Sequence, residues 1–429
     1  MIEVRGWRRI LLVLLPFAAG YYLSYLFRTI NALISAQLGA DLALGAAELG
    51  LLTSAYFLAF ASIQLPVGIM LDRYGPRRVQ SVLLLVAAAG AAIFAAAHDL
   101  LMLIVGRALI GFGVAAALIS GLKAIVLWFP KERVALVNGC FIMLGSLGAL
   151  TATVPADMLL PRIGWRGLFE FLAAVTAGCA MAIYILVPEP AAAASMKNSA
   201  SIGLKKIYAD RRFWRLAPLS TMCISTAWAL QGLWAGPWLT DVESLERPEV
   251  VRHLFVMALA LSAGALLMGT GADRLRRRGV HPRKLFGVVA AAFIAAQLAL
   301  IFYLSSSYFL WAVVACVGGA TVLSYAILAD YFPREVAGQA NAALIIFHIG
   351  GAFVVQYSIG LVVDRWTNHA GHYPSIAYKI ALAGVVTLQF LALLWFLRPE
   401  RRVEQSGTGL HQGPLQVREQ CAGELTAKA

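Results

Sequence analysis

The stretch Tyr21-Tyr22-Leu23-Ser24-Tyr25-Leu26-Phe27-Arg28-Thr29-Ile30-Asn31 sets a guanidinium among phenol hydroxyls inside an apolar run. Helical geometry puts Tyr21, Tyr25 and Arg28 on one face, with Ser24 and Asn31 alongside. An arginine so placed offers paired N–H donors that fit a carboxylate or a phosphate. Two further cations fall inside apolar runs, Arg107 and Lys123. Lys123 adds positive charge to the same half, and it also lies about two helical turns from the end of its run, where a lysine can snorkel outward. Arg107 suits a carbonyl or carboxylate of the first run, in a structural or proton-coupling role. An ionisable side chain at the centre of a membrane costs about 2.5–3.5 kcal/mol or more unless paired or hydrated, so each is a functional candidate.

The second half supplies neutral polar groups and aromatics. Trp228 and Gln231 lie within one run, His348 and Gln356 within another. His348 is the best titratable group in an apolar run, because imidazole changes charge near neutral pH. The same residue also fits a hydrogen-bonded packing role. No Asp or Glu falls at the middle of an apolar run. No Gly-x-x-x-x-Gly-Lys-Ser/Thr phosphate loop occurs, and no nucleophile–base or metal-ligand grouping appears within the runs. Neither an enzyme nor a cofactor or metal site is expected.

These residues must be positioned by elements in contact with lipid. Of the 429 residues, 60% are hydrophobic and 13% charged, and the mean hydropathy is +0.77. Soluble chains carry about 25% charged residues. Apolar runs of about 20 residues recur between short polar breaks. The expected spans cover about residues 10–37, 47–71, 79–98, 100–128, 135–160, 166–187, 214–239, 250–272, 285–305, 308–330, 337–364 and 375–397. The first run is longer than a signal-peptide core and reads as a spanning helix. Cys140, Cys179, Cys223 and Cys316 sit in these runs and read as buried, reduced packing residues, while Cys421 lies in the polar tail. The fold class expected is an all-α membrane protein of twelve helices in two six-helix bundles. The first bundle covers 1–188 and the second 213–398, joined by a linker at 189–212 and followed by a disordered tail at 399–429.

The net charge of +13 concentrates at one membrane face. Most Lys and Arg fall in the N-terminus, the linker, the tail and alternate loops, whereas Arg162, Arg166, Arg247, Arg252, Arg365 and Lys379 fall at the opposite face. The excess places both termini in the cytoplasm. Membrane topology thus accounts for the basic charge without nucleic acid.

The halves repeat each other. Gly68-Ile69-Met70-Leu71-Asp72-Arg73 follows the second span and Gly269-Thr270-Gly271-Ala272-Asp273-Arg274 the eighth. Trp128-Phe129-Pro130-Lys131-Glu132 follows the fourth and Tyr331-Phe332-Pro333-Arg334-Glu335 the tenth, at nearly the same offset. Parallel repeats with a site at their interface are a transporter architecture.

Gly68, Asp72, Arg73, Gly75, Arg77 and Arg78 resemble the 2–3 loop signature of the major facilitator superfamily. Arg107, Gly111 and Gly113 resemble its fourth-span signature, and Gly164-Trp165-Arg166 is typical of its sixth. The resemblance covers nearly all of the chain except the tail. It implies a secondary transporter working by alternating access, with Gly68, Asp72, Arg73, Arg77, Asp273 and Arg274 in gating and Arg107 and His348 in coupling. Asp72 is expected to face the eleventh span, and the loop arginines to pair with carboxylates of the other half. The first span is similar to that of organophosphate antiporters, where an arginine in such a Tyr-rich setting contacts phosphate. Those antiporters place another arginine in span seven, where this chain has Gln231. The Gly-Pro signature of efflux members is absent, the fifth span reading Gly145-Ser146-Leu147-Gly148.

The expected substrate is a small organic anion bound by Arg28, Tyr25, Tyr21, Asn31 and Lys123 of the first half and Trp228, Gln231, His348 and Gln356 of the second. A proton or a counter-anion would drive it. A monomer in a bacterial inner membrane is expected, given the compact loops. A transporter-like sensor and a drug or metabolite efflux pump remain open. Uptake of labelled ligand into proteoliposomes separates a carrier from a sensor.

Overall fold

The computed structural model describes residues 10–188, 207–304, 306–321, 323–332, 334–367 and 372–398. The expected linker at 189–212 lies largely outside these residues, and the tail at 399–429 wholly so.

A π-helical turn, Ile10–Leu14, opens the first crossing, which continues through α1 (Leu15–Thr29) and, past a kink at Ile30, α2 (Asn31–Leu42). The second and third crossings are two helices joined by a tight reversal, together α3 (Ala46–Ala95). The chain reverses within it at Gly75, whose φ of 79° only glycine adopts freely, and Pro76 starts the return. The fourth crossing is α4 (Leu100–Val114) with α5 (Ala117–Trp128). The fifth is α6 (Lys131–Thr151) and the start of α7 (Val154–Leu186), which turns at Gly164, φ 65°, into the sixth.

The seventh crossing runs from α8 (Arg211–Ala229) through π-helical turns at Leu230–Trp234 and Trp238–Val242. It ends later than expected from the apolar run. The eighth is α9 (Arg247–Arg277) and the ninth α10 (Pro282–Ile301). α11 (Ser307–Ala320) and α12 (Leu323–Tyr331) make the tenth, α13 (Arg334–Val363) the eleventh and α14 (Ser375–Leu397) the twelfth. Among the described residues, nine helical stretches are long and apolar enough to cross a membrane unaided. The fifth crossing is broken near Ala152, and the seventh is polar and π-turned, so these depend on packing.

Helix starts follow local chemistry. Asp99 accepts from Met102 N at 2.8 Å, and Asp210 accepts from Arg212 N at 2.7 Å. The Arg212 guanidinium, hydrogen-bonded to Asp210, holds that carboxyl below the usual carboxylate range. Backbone polar groups cannot remain bare in lipid, which is why helices dominate the described chain.

Each half has its own core. One is built on Phe27, Phe94, Phe141 and Phe169, the other on Phe213, Phe286, Phe293 and Trp311. Each core also borrows from the other half, the first taking Ile349 and Ala352, the second Ala32 and Ala46. The fourth-span glycines serve packing. A Cβ on Gly111 would lie 2.2 Å from Tyr56 O, and one on Gly113 2.4 Å from Leu83 O. The fifth-span pair does likewise, Gly148 facing Tyr22 O and Gly145 the Tyr21 ring. In the sixth-span motif, Trp165 donates to Asp41 at 2.8 Å and Arg166 sits 3.6 Å from the same carboxylate. Two of the cysteines expected to be buried are not: Cys140 is exposed, because its face of α6 points away from the bundle, and Cys316 is half-buried.

Candidate functional site

Arg28 lies in the last turn of α1, half-buried between the two halves. Its guanidinium carbon sits 4.1 Å from the Tyr25 ring centroid and 5.2 Å from that of Trp228 in α8. Phe57 of α3 stacks on Trp228 at 6.1 Å, with the rings 5° from parallel. Tyr21 meets Tyr25 edge-on at 5.1 Å and stacks on Phe141. The expected face therefore forms, and Trp228 joins it from the second half. Each aromatic face contributes about 0.5–2 kcal/mol of cation–π attraction. Neither neutralises the charge. Among the described residues no carboxylate pairs with Arg28, and its buried Nε has no partner.

The other first-half residues divide. Asn31 follows the kink and is 1% exposed; its amide donates to Thr53 Oγ1 at 2.9 Å and its Oδ1 is unpartnered. Arg107 donates to Phe27 O at 2.8 Å, among the rings of Phe94, Phe169 and Tyr56. This carbonyl lies beside the kink at Ile30, so the arginine braces a bent helix. Lys123 is not on the Arg28 face. It reaches Asp72 at 2.5 Å and Leu71 O at 2.8 Å, because a cation near a helix end finds a carboxylate at the membrane edge.

In the second half, Gln231 lines a cleft between the bundles with Thr29, Ala32 and Thr153, and its Nε2 is unpartnered. Gln356 is fully buried, with both amide atoms unpartnered, while its backbone oxygen accepts from Trp234 Nε1 at 3.1 Å. His348 is held by two hydroxyls, Ser220 at 2.8 Å and Tyr325 at 2.9 Å. A neutral imidazole donates to one and accepts from the other, so this ring is satisfied without extra charge. The Tyr325 ring also meets His348 edge-on, with centroids 5.2 Å apart. Sequence reasoning passed over Tyr325, Phe57 and Ser220. A hydroxyl or ring in an apolar run does not reveal which helix it faces.

The gating residues also differ from expectation. Asp72 pairs with Lys123 of its own half, and the side chains at 334–338 that open the eleventh span, which it was expected to face, lie outside the described residues. Arg77 donates to Tyr184 O at 2.7 Å, again within the first half, and Arg73 lies over the Tyr74 ring. Among the described residues, a Cβ on Gly68 would meet nothing within 4 Å. Arg274 is exposed, and the side chain of Asp273 lies outside the described residues.

The far end, away from Gly68, joins the halves closely. Arg247 and Asp157 form an ion pair at 2.8 Å. Tyr373 OH accepts from Ala46 N at 3.0 Å and donates to Asp364 at 2.8 Å. Ser54 donates to Phe353 O at 3.1 Å. Added methyl carbons on Gly236 and Gly360 would lie 2.4 Å from Ala32 O and 2.6 Å from Ala46 O.

Comparison with known proteins agrees with this architecture. A family model described as Major Facilitator Superfamily matches residues 17–353. The chain is 22% identical over 296 residues to a probable sulfoacetate transporter of Cupriavidus necator, covering 65% of this chain and 68% of that one. It is 26% identical over 310 residues to a probable L-galactonate transporter of Escherichia coli, covering 68% and 67%. Its fold matches a bacterial homologue of the human lysosomal transporter Spinster, crystallised inward-facing and unoccupied, with TM-score 0.77, 16% identity and coverage of 91% of this chain and 96% of that one. The protein is a membrane transporter and not an enzyme. Twelve crossings in two bundles, the Gly-Asp-Arg loop and the matched family model together show that this chain belongs to the Major Facilitator Superfamily.

Proposed function

We propose that this protein carries a small organic anion across the membrane by alternating access, with Arg28 holding the negative charge. One observation carries the reading: a guanidinium at the interface of the halves, flanked by Tyr25 and Trp228, with no carboxylate paired to it among the described residues. A cation kept in that setting gains most from an anionic ligand, since screening by water is weak there. The unpartnered amides of Gln231 and Gln356 and the Asn31 oxygen could serve a ligand's hydroxyls or carbonyls. The names of the two relatives, sulfoacetate and L-galactonate, point to the same class. With Lys123 engaged by Asp72, the site holds one positive charge in this conformation, which favours a monoanion or a single anionic group.

The joined far end suits a state open toward the opposite side, where the Gly-Asp-Arg loop lies. The distribution of Lys and Arg supports reading that side as the cytoplasm, and the compact loops support a bacterial inner membrane. The two bundles would rock about Arg28, with a proton or counter-anion as the driving partner and the monomer as the working unit.

The test is a thermal-shift screen of purified protein against small carboxylates, sulfonates and phosphates. A ligand at about 100 times its Kd stabilises by about 2.7 kcal/mol. Stabilisation by an anion is expected, and its loss in Arg28→Ala. Anion stabilisation that survives Arg28→Ala would remove the basis of the reading. Uptake of the hit into proteoliposomes then distinguishes a carrier from a sensor.

A further inference from the structure

At the far end of the second half, three residues from three elements form a hydrogen-bonded chain. Glu243 follows the seventh crossing, His253 lies in α9 and Ser307 opens α11. Ser307 Oγ contacts Glu243 Oε2 and lies 3.0 Å from His253 Nε2. His253 Nδ1 lies 2.7 Å from Glu249 O. The ring is 2% exposed and stacks on Tyr308 at 3.6 Å.

The protons in this chain can be counted. Glu249 O is a carbonyl and only accepts, so Nδ1 must carry a hydrogen. The Nε2–Oγ contact needs a second hydrogen and the Oγ–Oε2 contact a third. A neutral imidazole and a serine supply two between them. Three contacts in line therefore require one additional proton. Its place follows from the other donors. Trp238 and Trp311 both donate indole N–H groups to Glu243 Oε1, at 3.0 and 3.1 Å. With two indole donors on Oε1 and Ser307 on Oε2, both oxygens of the carboxylate are placed as acceptors. The extra proton then sits on His253, donating to Glu249 O and to Ser307, while Ser307 donates to Glu243. The face of Tyr308 suits an imidazolium as well. His348 makes the contrast, since its two partners are hydroxyls that can each give or take.

We propose that Glu243, Ser307 and His253 form a proton-binding site, occupied in this conformation as a His253 imidazolium bridged by Ser307 to the Glu243 carboxylate. The site is independent of the anion reading. The charged and titratable groups around it are few. Glu243 is the carboxylate that faces the ring through Ser307. Arg252 turns away to Pro248 O, and Arg247 is engaged with Asp157 of the first half. Tyr303 donates to Val242 O beneath Lys379. Asp241 is held by Tyr378, His372 and Tyr373 N. The proton ties the ends of the seventh, eighth and tenth crossings together, six residues along α9 from the Arg247–Asp157 pair that joins the halves.

The test is nitrogen NMR of protein labelled at histidine, in lipid nanodiscs near neutral pH. The expected result is a histidine signal with both ring nitrogens protonated that disappears in His253→Gln. Should that variant not fold, Tyr308→Leu removes the stacked ring and shifts the same signal, which assigns it. In Glu243→Gln the counter-charge is gone and the His253 ring is expected to become neutral at the same pH. A neutral His253 in the unaltered protein overturns the proposal, and so does an imidazolium that persists in Glu243→Gln.

Discussion

Substitution of Gly236 by alanine tests how the far end closes. A Cβ there would lie 2.4 Å from the backbone oxygen of Ala32. A relaxed C–H···O contact needs about 3.3–3.6 Å, so the first and seventh crossings must part by about 1 Å. The obstacle is backbone, and rotating a side chain cannot relieve it. Overpacking of this kind costs about 1–3 kcal/mol. Because the contact exists only when the halves meet, the cost falls on the closed far end, lowering its population about 5- to 150-fold relative to the alternative. The assay is the distance between spin labels at Arg162 and Leu304, both exposed at the far end on opposite halves, in a background freed of native cysteines. The long-distance population is expected to grow in Gly236→Ala. Gly178→Ala is the control, since a Cβ there meets nothing within 4 Å. If Gly236→Ala and Gly178→Ala give the same distance distribution as the parent, close approach at Gly236 does not govern closure.

Further outcomes are expected. Neutralising the Arg247–Asp157 pair, whose side chains are 40% and 25% exposed, should shift the same distances modestly, by about 0.2–1 kcal/mol in a double-mutant cycle. Arg107→Met should lower the melting temperature, since it strips Phe27 O of a buried donor at a cost of about 1–3 kcal/mol. Gln389→Leu removes the acceptor 2.7 Å from Gln297 Nε2 and leaves Gln297 Oε1 without its donor, and should cost about 1–3 kcal/mol; replacing both by leucine should recover most of that in a melting experiment. Asp72→Asn releases Lys123 from its ion pair and is expected to slow uptake of the screened anion into proteoliposomes, with unchanged uptake counting against a gating role for the loop.

The amino-acid sequence alone determined the crossings and much of the Arg28 face. Lipid offers no hydrogen bonds, so the crossings are helical and mostly apolar, which can be read locally. Helical periodicity likewise places Tyr21, Tyr25 and Arg28 together whatever the rest of the chain does. The duplicated Gly-Asp-Arg loops made the two halves legible for a similar reason, being short and contiguous. What depends on distant residues was decided only by tertiary structure. Lys123 has equal local grounds for facing a ligand or the membrane edge, and the approach of Asp72 settles its place in this conformation. The tight reversal at Gly75, the π-helical turns after Leu230 and the outward face of Cys140 reflect packing between helices. His253 and Glu243 look unremarkable in sequence. Their shared proton becomes necessary only when α11 brings Ser307 between them, because a hydrogen-bond count needs all of its partners in place.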